Sequence, residues 1–553
     1  MRTRWLTASA VALMTTLSWP VPTAAAGAWR SSVPFTNQVA SSPVTGAGYP
    51  VPAGSRVPLP GTCGPGPLNA NHSESWIAVQ PGTENSVAVS KFFFDRYSTF
   101  YMFYIGANQI PNGTPSGGNQ VQGYDCVSTG TQDMPPSWTD TTDPNADFDT
   151  KGRVYQTMLP FNAFWDDTRL HPDGEIDISY SDDQGRHWVK GNGGQPLEPS
   201  NNASARQLGH VEDKEWVAVN HIPGSVNQDH VYAAWAVFNG SAIKVRMAVS
   251  RDRGQTFAKA VTISAPSQIG PGATSVYPMI DAAGDVYVAL VSFPSNGNPS
   301  VIYVARSTDD AQTFGPLVAV ATPTPIPTPG FPNTRFRDGI TESFAASPTH
   351  PGHLYLAYEN WDTARGQMDV LFTQSVDAGA TWSIPVTVND NVDASGAPTD
   401  QFQPEVAAGP NGAVAVEFYD RRQACPNDRS VLPADVGRTN FCIDVSLQAY
   451  RDTGGGAAPA GANVRVTQFT WDPEQPGQHV GGLSQYPCAG ANDPCPNGTG
   501  FIGDYFGLAI SATNIYGLFV STHYASNVTA DEGGPVYYQQ QVLSTVSRAA
   551  LGV

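Results

Sequence analysis

One eight-residue turn is written four times in this chain. It reads Ser250-Arg251-Asp252-Arg253-Gly254-Gln255-Thr256-Phe257, with copies at 181–188, 307–314 and 375–382. The common form is S-x-D-x-G-x-T-[FW], with His187 for Thr in the first copy and Ala311 for Gly in the third. The copies start at 181, 250, 307 and 375, at intervals of 69, 57 and 68 residues. Spaced repetition of this kind marks stacked supersecondary units, each unable to bury its apolar face alone.

Each position of the turn has a physical job. Ser and Asp oxygens accept hydrogen bonds from nearby backbone N–H groups and hold the turn tight. Gly supplies a positive φ without a Cβ clash. The closing Trp or Phe places a ring against the core as the next strand begins. An apolar strand precedes each copy, as in Lys244-Val245-Arg246-Met247-Ala248-Val249 and Val301-Ile302-Tyr303-Val304-Ala305. Each copy therefore reads as a hairpin tip with a structural role.

A second element repeats around these turns: a polar residue, an apolar strand, a Gly- or Asn-containing turn and another apolar strand. Seven copies are counted, opening at Glu74, Asp143, Glu215, Tyr277, Glu342, Gln403 and Tyr505. The turn is the Asp box, and the chain resembles the bacterial sialidase-like β-propellers that carry it. The resemblance implies an all-β propeller of four-stranded blades with Asp-box hairpins at one end. The repeat count gives seven blades and the resemblance six, and both stay open here.

The N-terminus reads as a secretory signal over 1–26: Arg2 and Arg4, an apolar run, then Ala24-Ala25-Ala26 as a small-residue cleavage site. We expect a secreted, extracellular protein with a Pro- and Gly-rich lead-in over 27–70 and one propeller over 71–547. Six cysteines suit an oxidising compartment. Cys425 with Cys442 and Cys488 with Cys495 are neighbours in sequence, leaving Cys63 with Cys126, although spacing does not fix the connectivity. A net charge of −19 argues against nucleic acid or an anionic membrane as partner, and no stretch is long and apolar enough to span a bilayer. Oligomeric state is not legible. Gly-, Pro- and Thr-rich insertions are expected over 108–142, 321–338 and 452–500.

Topology selects a face for chemistry. If the Asp boxes join third and fourth strands, the opposite end gathers the starts of first strands and the ends of second strands. That end collects Glu74, Asp213, Glu215, Glu342, Glu405, Asp504, Asp420 and Arg421. Glycoside hydrolysis needs a proton donor and a nucleophile or base about the scissile bond; sialidases use a Tyr nucleophile, with arginines on the substrate carboxylate. By resemblance, Gly503-Asp504-Tyr505-Phe506-Gly507 matches the start of the last sialidase blade. The catalytic candidates are Tyr505, Glu342, Asp504 and Asp420, and the substrate-binding candidates are Arg421, Arg337 and Asp213. This assignment requires Tyr505 and Glu342 within hydrogen-bond reach and Arg421 across the same pocket.

The expected activity is that of a sialidase-like exo-glycosidase acting on a terminal sugar of a glycan or glycoconjugate, with no cofactor. A structural Ca²⁺ is offered hard oxygens by the acidic stretch 140–149. The alternative is a propeller that binds carbohydrate or protein without catalysis. It is favoured by the absence of an Arg-Ile-Pro tripeptide ahead of the first repeat and by Gln403 where a sialidase would show Glu.

Overall fold

The computed structural model describes residues 31–41, 71–93, 103–116, 120–122, 140–161, 175–199, 211–239, 242–264, 273–292, 300–328, 330–334, 336–339, 342–391, 396–475, 478–480, 483–484, 500–526 and 528–553. The signal segment and Cys63, Cys126, Cys488 and Cys495 lie outside them. Seven antiparallel sheets stand as blades around one axis, each ordered as a meander from an inner to an outer strand. The innermost strands of blades 1, 3, 4, 5, 6 and 7 are Asn71–Val79, Val211–Val219, Ala273–Ile280, Glu342–Ala346, Gln401–Ala408 and Gly507–Ile510. In blade 2 the inner position is split into Asp140–Thr142 and Asp147–Phe148, both paired with Val154–Phe161. Seven repeats thus become seven blades.

The second strand of each blade is sandwiched between its own sheet neighbours and the adjoining blades, which is why it reads as an unbroken apolar run. Val286–Ser292 is buried along its whole length. Part of the expected insertion at 108–142 is strand: Phe103–Ile110 and Gln120–Gln122 are the outer half of blade 1. The lead-in also contributes a strand. Phe35–Val39 pairs antiparallel with Gln540–Ser547 as the outer strand of blade 7, Phe35 opposite Val546 and Val39 opposite Val542. The ring is therefore closed by the first and last described strands. No helix among the described residues is long and apolar enough to cross a membrane.

The four repeated turns join third to fourth strands and share one hydrogen-bond set. In the second copy Gly254 N–H donates to Ser250 Oγ at 2.8 Å and Thr256 N–H to Asp252 Oδ1 at 2.8 Å. Two successive residues take positive φ, Arg253 at 59° and Gly254 at 81°. Trp188 is buried, while Phe257, Phe314 and Trp382 are only partly covered. The same end of the propeller carries pins between blades. The Tyr155 hydroxyl and Arg253 Nε both bond Asp149 Oδ2, at 2.9 and 2.6 Å. Tyr232 donates to Asp310, Tyr355 to Asp452 and Tyr516 to Glu84, at 2.7, 2.6 and 2.5 Å, each reaching the next blade and the last closing blade 7 on blade 1.

A Cβ on Gly254 would fall 2.9 Å from the Tyr155 ring in a backbone already at positive φ. Gly254→Val is expected to lose about 3 kcal/mol, from strain and overpacking together, read as a lower Tm. A second test concerns Glu417, a buried carboxyl on the second strand of blade 6 that is pushed up to about 8 by burial. It fits because Gly517 leaves room: a Cβ there would meet its carboxylate oxygen at 2.0 Å. Its folded affinity for the proton exceeds its unfolded one, so the stability it contributes is complete below about pH 4.5 and lost as pH rises through 8. Burial shifts Asp472 the same way, to about 7. Tm should fall between pH 5 and pH 9, and Glu417→Gln should flatten that fall.

Candidate functional site

At the end opposite the repeated turns, the inner strands share an irregularity. Each of four takes in one extra residue relative to its neighbour, between Ser73 and Trp76, Asp213 and Trp216, Thr274 and Val276, and Phe402 and Glu405. The residue in each bulge has a positive φ: Glu74 at 47°, Lys214 at 51°, Ser275 at 57° and Gln403 at 44°. Asp143 at 57° does the same in the gap of the split strand, and Gly503 at 104° ahead of blade 7. A bulge re-aims the side chain that regular alternation would send elsewhere. Left-handed non-glycine residues cost about 1–3 kcal/mol each and tend to gather where a site over-determines them.

Glu74, Asp143 and Lys214 from these places join Lys91, Asp213, Arg337 and Asp504 in one charge cluster. Lys91 Nζ lies 2.8 Å from Glu74 Oε2 and donates to Thr142 Oγ1 at 2.9 Å; Thr142 in turn donates to Asp143 Oδ1 at 2.8 Å. Arg337 donates through Nε to Asp504 Oδ1 at 2.9 Å and through Nη2 to Asp504 Oδ2. Lys214 Nζ stands 3.9 Å from Asp504 Oδ2 and 4.4 Å above the Tyr505 ring. Asp213 Oδ1 accepts from Lys214 N–H at 3.0 Å, and Asp213 Oδ2 from the Thr274 hydroxyl at 3.3 Å. Below the charges an aromatic floor closes the axis: Trp76, Trp216, Tyr277 and Tyr505, with Trp216 4.7 Å from both Trp76 and Tyr277 and 5.1 Å from Tyr505.

Asp143 and Asp213 share a hydrogen bond, which requires a proton on one of them. Burial and the Asp143 charge push Asp213 up to about 7. Burial also opposes ionisation of Asp143, but Lys214, Lys91 and the Thr142 hydroxyl outweigh it and hold that carboxyl well below the usual range. Asp504 is likewise held low, because Arg337 and Lys214 overcome its burial. Deeper in, burial raises Glu215, Glu342 and Glu405 well above ordinary carboxyls.

The sequence-predicted residues fall into separate places. Asp213, Asp504 and Arg337 come together in the cluster and keep contact with solvent. Tyr505 lies beneath them, only 4% exposed, and its hydroxyl donates to the Pro144 carbonyl at 3.0 Å. The expected hydrogen bond from Tyr505 to Glu342 is not made; Glu342 is buried, and among the described residues neither of its carboxylate oxygens meets a hydrogen-bond donor. Burial raises the Tyr505 hydroxyl well above its ordinary value, the direction opposite to nucleophile activation.

Arg421 is fully buried, donating to the Phe441 carbonyl, Asp400 and Thr334. Asp420 accepts from Arg422 Nε at 2.7 Å, Gln401 at 3.0 Å and Ser446 at 2.5 Å, tying its strand to the strands on either side of it in blade 6. Sequence reading missed Lys91, Lys214 and the acid–acid role of Asp143. The available signal was the polar pair placed just ahead of each inner-strand aromatic or apolar run.

Among the described residues no group of three or more His, Cys, Asp or Glu is arranged to hold a metal ion. In the stretch offered to calcium, Asp149 is saturated by Lys151 N–H, Arg153 N–H, Tyr155 and Arg253, and Asp147 Oδ2 takes Val219 N–H at 2.8 Å.

No protein-family model and no curated protein matches this sequence. Solved structures resemble its fold. A NanB sialidase from Streptococcus pneumoniae is 9% identical over 87% of this chain and 94% of its own, with a TM-score of 0.40. The α-L-arabinofuranosidase Arb93A of Fusarium graminearum, bound to an iminosugar inhibitor, is 13% identical over 74% and 94%, with a TM-score of 0.39. A Penicillium chrysogenum α-L-arabinanase bound to arabinobiose is 14% identical over 75% and 94%, with a TM-score of 0.37.

Tyr505→Phe separates two roles for that residue. A packed aromatic loses one hydrogen bond to Pro144, about 1 kcal/mol of stability, with turnover within a few-fold of wild type. That is the outcome expected here; a nucleophile would lose turnover by orders of magnitude with Tm unchanged.

Proposed function

We propose that the protein is a secreted exo-glycosidase that hydrolyses the bond to a terminal sugar at the mouth of the propeller axis. One observation carries the reading: the Asp143–Asp213 pair, which shares a proton, stands beside an Asp504 that two cations keep ionised. Carboxyl groups whose environments drive their protonation apart are what acid and base roles at a glycosidic bond require. Asp213, protonated and reachable from solvent, donates its proton to the leaving oxygen. Asp504 is the carboxylate that activates water or attacks the anomeric carbon, and Arg337 fixes its orientation. Asp143 keeps the proton of the pair on Asp213. The segment 1–26 supports secretion.

A sialoside is one substrate class to test, as the sequence resemblance suggests. A neutral sugar is the other, because Arg337 and Arg421 already bond Asp504 and Asp400 and would have to let go to grip a substrate carboxylate. Purified protein should be assayed on fluorogenic α-sialosides, α-L-arabinofuranosides and hexopyranosides. Asp213→Asn and Asp504→Asn should each lower kcat/KM on the productive substrate at least ~100-fold with Tm nearly unchanged. Activity should fall as pH rises through about 7, where Asp213 gives up its proton. Turnover of none of these sugars, with calorimetric binding of one, would leave a carbohydrate-binding propeller instead.

A further inference from the structure

We propose that the flank between blades 2 and 3 carries a second saccharide site, a cleft that takes one neutral sugar ring. The cleft has a volume of about 240 Å³, and its walls include Glu198, Arg246, Ala248, Phe257, Ala258 and Lys259. Clefts for drug-sized ligands run to ~300–1,000 Å³, so this one suits a single ring. Its walls belong to outer strands, whereas the mouth is made by inner ones. Arg246 and Ala248 stand on the third strand of blade 3, Ala242–Ser250, and Phe257 to Lys259 lead into the fourth, Val261–Thr262. Glu198 follows the outer strand of blade 2, Val189–Lys190, and its backbone bridges to Ile176. Asn192 clips the two blades together. At φ 52°, it donates its N–H to the Gly254 carbonyl at 3.0 Å and accepts the Phe257 N–H on Oδ1 at 3.1 Å. The cleft is therefore built into the fold.

Glu198 is the polar centre of the cleft, with its side chain only 8% exposed. Its Oε2 is committed: the buried Trp235 indole N–H donates to it at 3.1 Å, and Arg246 Nη1 pairs with it. Its Oε1 has no donor among the described residues and keeps a solvent-facing surface. Among those residues Arg246 engages only Nη1, and the exposed Lys259 has no ion partner. An oxygen that can only accept thus lies beside cations that can only donate. Adjacent hydroxyls of a sugar answer both, one donating to Glu198 Oε1 while its neighbour accepts from Arg246 or Lys259. The C–H face of the ring is then covered by Phe257, Ala248 and Ala258. An anion fits less well, because it would meet the Glu198 carboxylate in the same small space. None of these residues belongs to the mouth, so the site stands whether or not the mouth hydrolyses a glycoside.

The test titrates the full chain with the methyl glycosides of galactose, glucose, mannose and arabinose, read by saturation-transfer NMR and calorimetry. At least one should bind. Glu198→Gln keeps the shape of the wall but turns the acceptor in the cleft into a donor, and should weaken that binding at least ~10-fold. Ala258→Trp fills the cleft and should abolish it; Ala258 is exposed, so this variant tests the site even where Glu198→Gln does not fold. The binding that these variants remove should persist in Asp213→Asn, and both should keep wild-type turnover of a small fluorogenic glycoside. No binding of any of these sugars, or binding unmoved in the folded flank variants, would overturn the site. Binding of acetate or phosphate in their place would overturn it as well, leaving an anion site. A sugar held at the flank of a protein that cleaves none would keep this site and sink the proposed hydrolysis.

Discussion

Everything at the mouth depends on one backbone distortion: an extra, left-handed residue at the start of the inner strands. A regular strand alternates its side chains between two faces, and in a propeller both faces of a blade are pressed against neighbours. Glu74, Asp143 and Lys214 would then have entered apolar packing beside Trp76 and Trp216. The bulge turns them towards the axis, where they meet each other. Five non-glycine residues accept this conformation, at Glu74, Asp143, Lys214, Ser275 and Gln403. Strain repeated at five comparable places in separate blades is a property of how the inner ring begins.

That cluster behaves as one titrating body. Lys91, Lys214 and Arg337 are set against Glu74, Asp143, Asp213 and Asp504, so the protonation of each of these carboxyls depends on its neighbours. Burial also keeps Glu215, Glu342, Glu405 and Glu417 from ionising as exposed carboxyls do. The formal net charge of −19 counts all of these as charged. The charge the folded protein carries at neutral pH is less negative than its composition suggests.

The fold was legible because its signals are local. The S-x-D-x-G-x-T turn and the apolar second strands each spell out their own geometry, and counting them gave seven blades. The choice of face followed from strand direction alone and named Asp213 and Asp504, which the structure brings into one cluster; Arg337, from a connecting segment, joins them by gripping Asp504. Pairings were not legible. Nothing near Tyr505 in sequence says that its hydroxyl will meet the Pro144 carbonyl, 361 residues away. Asp420-Arg421 reads as a charged strand end, yet burial commits Arg421 to Asp400 and Phe441 and Asp420 to Arg422. The strand at Phe35–Val39 was hidden because its five residues lack a run of alternation long enough to separate them from their Pro- and Ser-rich surroundings.

That short strand governs the order of events in making the protein. Phe35 pairs with Val546, so the first described strand waits for all seven blades' worth of sequence to be synthesised before it has a partner. Until then blade 7 lacks its outer strand and the hydrogen-bonding edge of Gln540–Ser547 has no cover. Pairing across so large a sequence separation is entropically slow, and an open sheet edge is a template for association with other chains. Blades 1 to 6 can each assemble from contiguous sequence as it emerges, whereas the seventh must bring together strands from the first and last described parts of the fold. Any truncation or fusion that delays Phe35–Val39 would therefore show itself as aggregation during folding, even where the finished ring is stable.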